Sequence, residues 1–91
     1  MDTQNLGKVI RNSVSFCGGL KLEYRLYRSP VKLCGRFSYS LSLLQTGNDG
    51  CERIFAGDVS RTKRDACRLF TLMSEGQVAA CTFFEILEEI L

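Results

Sequence analysis

From Leu20 to Arg28 apolar and charged positions alternate without a break. Leu20, Leu22, Tyr24 and Leu26 form one set, and Lys21, Glu23, Arg25 and Tyr27 form the other. Successive side chains of an extended chain point to opposite faces, so this period of two predicts a strand with one buried and one wet face. A helix would scatter the leucines around its cylinder. Ser29-Pro30 closes the segment, because proline donates no ladder hydrogen bond and restricts the residue before it. Phe37 to Leu43 repeats the pattern, with Phe37, Tyr39, Leu41 and Leu43 facing in and Ser38, Ser40 and Ser42 facing out. That serine face is polar but uncharged, suited either to water or to another chain.

Thr46-Gly47-Asn48-Asp49-Gly50 follows. Asn, Asp and Gly tolerate positive φ, which predicts a hairpin turn and an antiparallel return over Cys51 to Ala56. Upstream, Val14-Ser15-Phe16-Cys17 is a short run that ends at the turn signal Gly18-Gly19. Residues 1–12 are polar and read either as a loose arm or as a first strand around Lys8-Val9-Ile10.

Beyond Asp58 the period changes. Thr62-x-x-Asp65 approximates a capping box, with Ser60 as an alternative cap. Ala66, Leu69, Phe70 and Met73 then recur at the spacing of an amphipathic helix, and Gly76 is expected to take the left-handed conformation that ends it. A last helix is predicted near Ala80–Leu91, with Phe83, Phe84, Leu87, Ile90 and Leu91 on its apolar side. The expected fold is α+β, an antiparallel sheet of three to five strands followed by two C-terminal helices packed on one face, as a single domain over residues 1–91. Its inward set is Leu20, Leu22, Tyr24, Leu26, Phe37, Tyr39, Leu41, Leu43, Leu69, Phe70, Met73, Phe84, Leu87 and Ile90.

Composition narrows the chemistry. The 91 residues are 45% hydrophobic and 24% charged, ordinary for a globular domain. No apolar run approaches the ~20 residues that span a bilayer, and Met1-Asp2-Thr3-Gln4-Asn5 lacks the features of a signal peptide, so no membrane association and a cytoplasmic location are expected. The chain has no His, which excludes Ser-His-Asp and Cys-His catalysis and mixed Cys/His zinc sites within it. Its five cysteines, Cys17, Cys34, Cys51, Cys67 and Cys81, form no C-x-x-C pair. An odd count with no export signal reads as free thiols, each a small buried hydrophobe. Cys67, near a helix start beside Arg64 and Arg68, has no His to activate it. No catalytic constellation, metal, cofactor or small-molecule ligand is expected.

Charge is uneven. Residues 1–36 hold seven basic and two acidic side chains, a net +5, and residues 37–91 hold five and eight, a net −3. Arg61, Arg64 and Arg68 fall at i, i+3 and i+7, and Glu85, Glu88 and Glu89 share a side of the last helix. The arginine stripe suits phosphates, or else it pairs with the glutamates inside the fold. A sequence pI of about 8.3 is modest for a nucleic-acid binder, where values above about 9 are usual. Alternation sends Tyr24, Phe37 and Tyr39 to the core side and leaves Tyr27 with the charges.

The second half resembles a small family of uncharacterised proteins from Firmicutes, mostly Clostridia, known as a domain of unknown function. The resemblance covers about residues 37–91. It rests on the alternating strand Phe37-Ser38-Tyr39-Ser40-Leu41, the Gly/Asn turn, Asp58-Val59-Ser60, the helix ending Leu72-Met73-Ser74-Glu75-Gly76, and the closing stretch Phe83 to Leu91. The chain departs from that pattern at Ala79-Ala80, where the family often has Ser-Pro or Thr-Pro, which leaves the last helix with a less defined start. The resemblance implies a bacterial cytoplasmic source and a layout of strands then helices, and no activity. The expected function is a small non-enzymatic protein-interaction or regulatory module that binds a protein partner or itself. The alternative is nucleic-acid binding through the basic N-terminal half and the Arg61/Arg64/Arg68 stripe. The candidate interaction surface comprises Arg61, Arg64, Arg68, Glu85, Glu88, Glu89, Ser38, Ser40 and Ser42.

Overall fold

The fold described here is a computed structural model that describes residues 7–31 and 36–90. Four strands come first: β1 (Lys8–Cys17), β2 (Leu20–Val31), β3 (Arg36–Gly47) and β4 (Gly50–Ser60). Helix α1 (Lys63–Glu75), a 3-10 turn at Ala80–Thr82 and helix α2 (Phe83–Ile90) follow. The strands form one sheet in the order β1-β2-β3-β4, each antiparallel to the next. The expected α+β architecture is therefore the observed one, with four strands. Of the two readings of residues 1–12, the strand holds from Lys8 onward. Residues 1–6 of the proposed arm, Cys34 and Leu91 lie outside the described residues.

Turn chemistry explains the hairpins. Gly18 and Gly19 both take positive φ, 56° and 83°, the backbone a two-residue turn needs to match the twist of its flanking strands. In the β3–β4 turn the positive φ falls on Gly50, at 121°, and Asn48 and Asp49 do without it. Two irregularities rephase the edge strands. β1 slips register between Val9 and Arg11, and β4 slips opposite the Tyr39–Leu41 step of β3. The second slip leaves Asp58 at φ 53°. Bulges of this kind kink the strand and re-aim side chains locally.

α1 begins at Thr62, whose Oγ1 accepts from the Asp65 backbone N–H at 3.3 Å. Its end corrects the expectation for Gly76, which keeps a right-handed φ of −77°. Gln77 takes the left-handed turn instead, at φ 52°. The bonds from Gln77 N–H to Ser74 O and from Val78 N–H to Met73 O, each 3.2 Å, make a Schellman cap. Gly76 is needed there for space: a Cβ would stand 2.9 Å from Leu72 O. α2 starts at Phe83, later than expected, because Ala79 has no side chain to cap the segment and one 3-10 turn intervenes.

Both helices cover one face of the sheet. Leu22, Tyr24, Leu26, Tyr39, Leu41, Leu43 and Ala56 of the strands meet Ala66, Leu69, Phe70, Met73, Ala80, Phe83 and Leu87 in a single core. Two polar contacts pin the second connection onto the strands. Tyr24 Oη donates to Val78 O at 2.6 Å, and the Ala80 N–H donates to Gln45 Oε1 at 2.9 Å. Of the expected inward set, Leu20 is partly buried against this core, and three members lie outside it. Phe84 is 52% exposed because α2 turns Phe83 inward and stacks Phe84 edge-on against it at 5.5 Å. Ile90 lies exposed in the last turn of α2. Phe37, near the start of β3 and beyond the reach of the helices, is 41% exposed and lies under the Arg28 guanidinium at 4.5 Å.

Candidate functional site

The candidate site is the sheet face opposite the helices. Its residues follow from register, since directly paired residues of an antiparallel ladder project to the same side. On β2 this face carries Lys21, Glu23, Arg25 and Tyr27. β3 adds Ser38, Ser40, Ser42 and Leu44, and β4 adds Arg53 and Phe55 opposite Leu44 and Ser42. β1 pairs Val14 with Glu23 and Phe16 with Lys21, so its apolar residues also lie here. Phe16 is 73% exposed, and Val9, Val14 and Phe55 are exposed as well. Among the described residues no helix or strand covers them.

The centre of the face is ordered by local contacts. Tyr27 points to the charged side, as alternation predicts, yet it is only 7% exposed. The Phe55 ring packs edge-on against it at 6.1 Å, and Ser42 Oγ donates to its hydroxyl at 3.2 Å. Glu23 and Arg25 make an ion pair at 2.7 Å along β2. That contact and a hydrogen bond donated to the Tyr27 hydroxyl hold the Arg25 guanidinium even more firmly charged than usual. Arg25, Tyr27, Ser42, Leu44, Arg53 and Phe55 enclose a shallow cavity of about 420 Å³.

The serines are committed to structure. Ser38 Oγ donates to Asp58 Oδ1 at 2.8 Å, and Ser40 Oγ accepts from the Asp58 N–H at 3.2 Å. Arg61 reaches the same carboxylate, with Nε 2.8 Å from Oδ1 and Nη2 3.3 Å from Oδ2. Arg61 first and Ser38 second hold the Asp58 carboxyl below the usual carboxylate range. The three residues clamp the β4 bulge, which explains why an aspartate tolerates a left-handed backbone there.

The arginine stripe and the glutamate cluster are not joined. Arg61 is held at the bulge, while Arg64 lies in water, 3.6 Å from its neighbour Asp65. Arg68 lines a second cleft of about 350 Å³ with Asp65, Leu72 and Ile90. Glu85, Glu88 and Glu89 are exposed on α2, and among the described residues no ion pair links them to Arg64 or Arg68. Cys17, Cys51 and Cys81 are exposed thiols and Cys67 is half-buried, so the expectation of uniformly buried cysteines does not hold. Among the described residues no three His, Cys, Asp or Glu side chains converge as metal ligands. No helix among them is long and apolar enough to cross a membrane.

The residues that sequence reasoning missed are Val14, Phe16 and Phe55. The signal for Phe16 was present in the alternation Val14-Ser15-Phe16-Cys17, but its phase relative to β2 is set only by the pairing. No family model, curated protein or solved structure matches the chain.

Proposed function

We propose that the protein is a non-enzymatic interaction module of the bacterial cytoplasm whose contact surface is the open face of its sheet. One observation carries this reading: Phe16, Phe55, Val9 and Val14 stand exposed on the face that the helices leave bare. Apolar side chains gathered on one open face and kept in water through folding suit a surface used for binding. The aromatic residues there are ones that interfaces favour.

Site-specific photo-crosslinking tests the surface. A benzophenone side chain at position 16 or 55 should form adducts with other macromolecules in cells of the source organism. The same probe at Thr71, exposed on α1, should form none. Equal labelling from the two layers, or none from positions 16 and 55, would refute the assignment of this face.

A further inference from the structure

We infer that the open sheet face takes single-stranded nucleic acid, with bases stacking on Phe16 and Phe55 and phosphates meeting Lys21, Arg25 and Arg53. The inference rests on the reading of this face as the contact surface and names its occupant. The first support is the pairing of flat apolar rings with cations. Phe16 is paired in register with Lys21, and Phe55 flanks the cavity that Arg25 and Arg53 also line. Base stacking on aromatic rings within a positively charged groove is how sequence-tolerant single-strand binding is built.

Charge selects this occupant over a second copy of the chain. Among the described residues of the bare face, Lys21, Arg25 and Arg53 stand with two carboxylates, Glu23 and Asp58, each already paired with an arginine, Arg25 and Arg61. Among the described residues, the strands carry seven basic and three acidic side chains, while the helices carry three and five. Two copies joined face to face would set like charges against each other, whereas a polyanion meets a complementary surface. Geometry fits as well. Phe16 and Phe55 lie on opposite edge strands and four register steps apart, which is about 20 Å at ordinary strand spacing and rise. The rings therefore hold separate bases of one strand, with the cavity between β2 and β4 adjoining the second.

The test is fluorescence anisotropy of the full chain with labelled 12-mers of oligo-dT and oligo-U at low salt; the two arms separate DNA from RNA. Saturable binding is expected, with log K falling against log salt at a slope of about −2 for three phosphate contacts on a single strand. Phe16→Ala and Phe55→Ala should each weaken binding by about 5–150-fold, the range for loss of one stacked base. Arg64→Gln should leave it unchanged. If Phe55→Ala fails to fold, Phe16→Ala alone decides, because that ring is the more exposed. Absence of binding, equal affinity for duplex, or undiminished binding by the phenylalanine variants overturns the inference. If oligonucleotides do not bind but sedimentation shows a dimer that Phe16→Asp dissociates, the face remains the contact surface and its occupant is a second copy. If both experiments fail together with the crosslinking, the reading of the face itself falls.

Discussion

Replacing Tyr24 with Phe removes one oxygen atom and changes stability in two opposing ways. The side chain is buried in the core, and its hydroxyl donates to Val78 O at 2.6 Å, tying β2 to the turn that follows α1. Without it the Val78 carbonyl loses its partner in a half-buried setting, a cost of about 1–2 kcal/mol at neutral pH. Burial, with a smaller contribution from the negative charge of Cys17, also pushes the phenol pKa up to about 12. In the unfolded chain the same phenol ionises near 10. Between those values the folded protein keeps a proton that the unfolded chain releases. The stabilisation from this group is complete below pH 10 and falls by about 1.4 kcal/mol per unit as pH rises toward 12. The Phe variant has no such loss. Wild type should therefore be the more stable protein at pH 7, the difference should vanish near pH 11, and the order should invert above it. Urea denaturation followed by circular dichroism, with both proteins at pH 7, 9, 10.5 and 11.5, measures this. Using the difference between the proteins cancels the titration of the other groups. A difference that stays constant from pH 7 to 11.5 would refute the reasoning, since it would mean the phenol is not held in a dry site.

Three other outcomes are expected. Phe83→Ala should cost about 3–5 kcal/mol, and Phe84→Ala no more than about 1.5 kcal/mol for its edge contact; at about 4–8 °C per kcal/mol in a domain this size, thermal scans separate the two clearly. Gln77→Gly should raise stability by about 0.5–1 kcal/mol, because glycine takes the left-handed cap without crowding its Cβ; an unchanged or lower midpoint in urea would contradict the Schellman cap. Asp58 has its folded pKa lowered, so its contribution is present above about pH 4 and disappears as pH falls below that value. Asp58→Asn should accordingly lower the melting temperature at pH 7 and match wild type in acid, as read by melting curves between pH 2.5 and 7.

Individual elements show how far the pattern of residues reached. β2 was legible because one face is leucine and tyrosine and the other is charged, and burial follows that division except at Tyr27. α1 was legible from its cap to Met73, since Thr62, Asp65 and the Ala66-Leu69-Phe70-Met73 spacing act within one or two turns. The cap at its far end was misplaced by one residue. Gly76 can adopt positive φ, but the space beside Leu72 O requires glycine there for another reason, and Gln77 turns left instead. Phe83 and Phe84 are neighbours of equal hydrophobicity, so only the entry angle of α2, set by the 3-10 turn, chooses which is buried. The expected interaction surface shows the same limit. Ser38, Ser40 and Arg61 are close to one another only because the β4 bulge brings Asp58 back to them.

Taken alone, the order of residues determined the strands, their turns, the first helix and the absence of His-based chemistry. The strands, the turns and the helix depend on interactions between residues within a turn or a hairpin of one another, and the last follows from composition. The tertiary structure decided which side of β1 is wet and that the second sheet face is left bare. The pairing of β1 with β2, which sets Phe16 opposite Lys21, decides the first, and the packing of both helices against the same face decides the second. Side-chain direction alternates locally, but what each side meets depends on segments far away in the chain. That is why Phe16 and Phe55, unremarkable in the sequence, become the exposed rings of the candidate site.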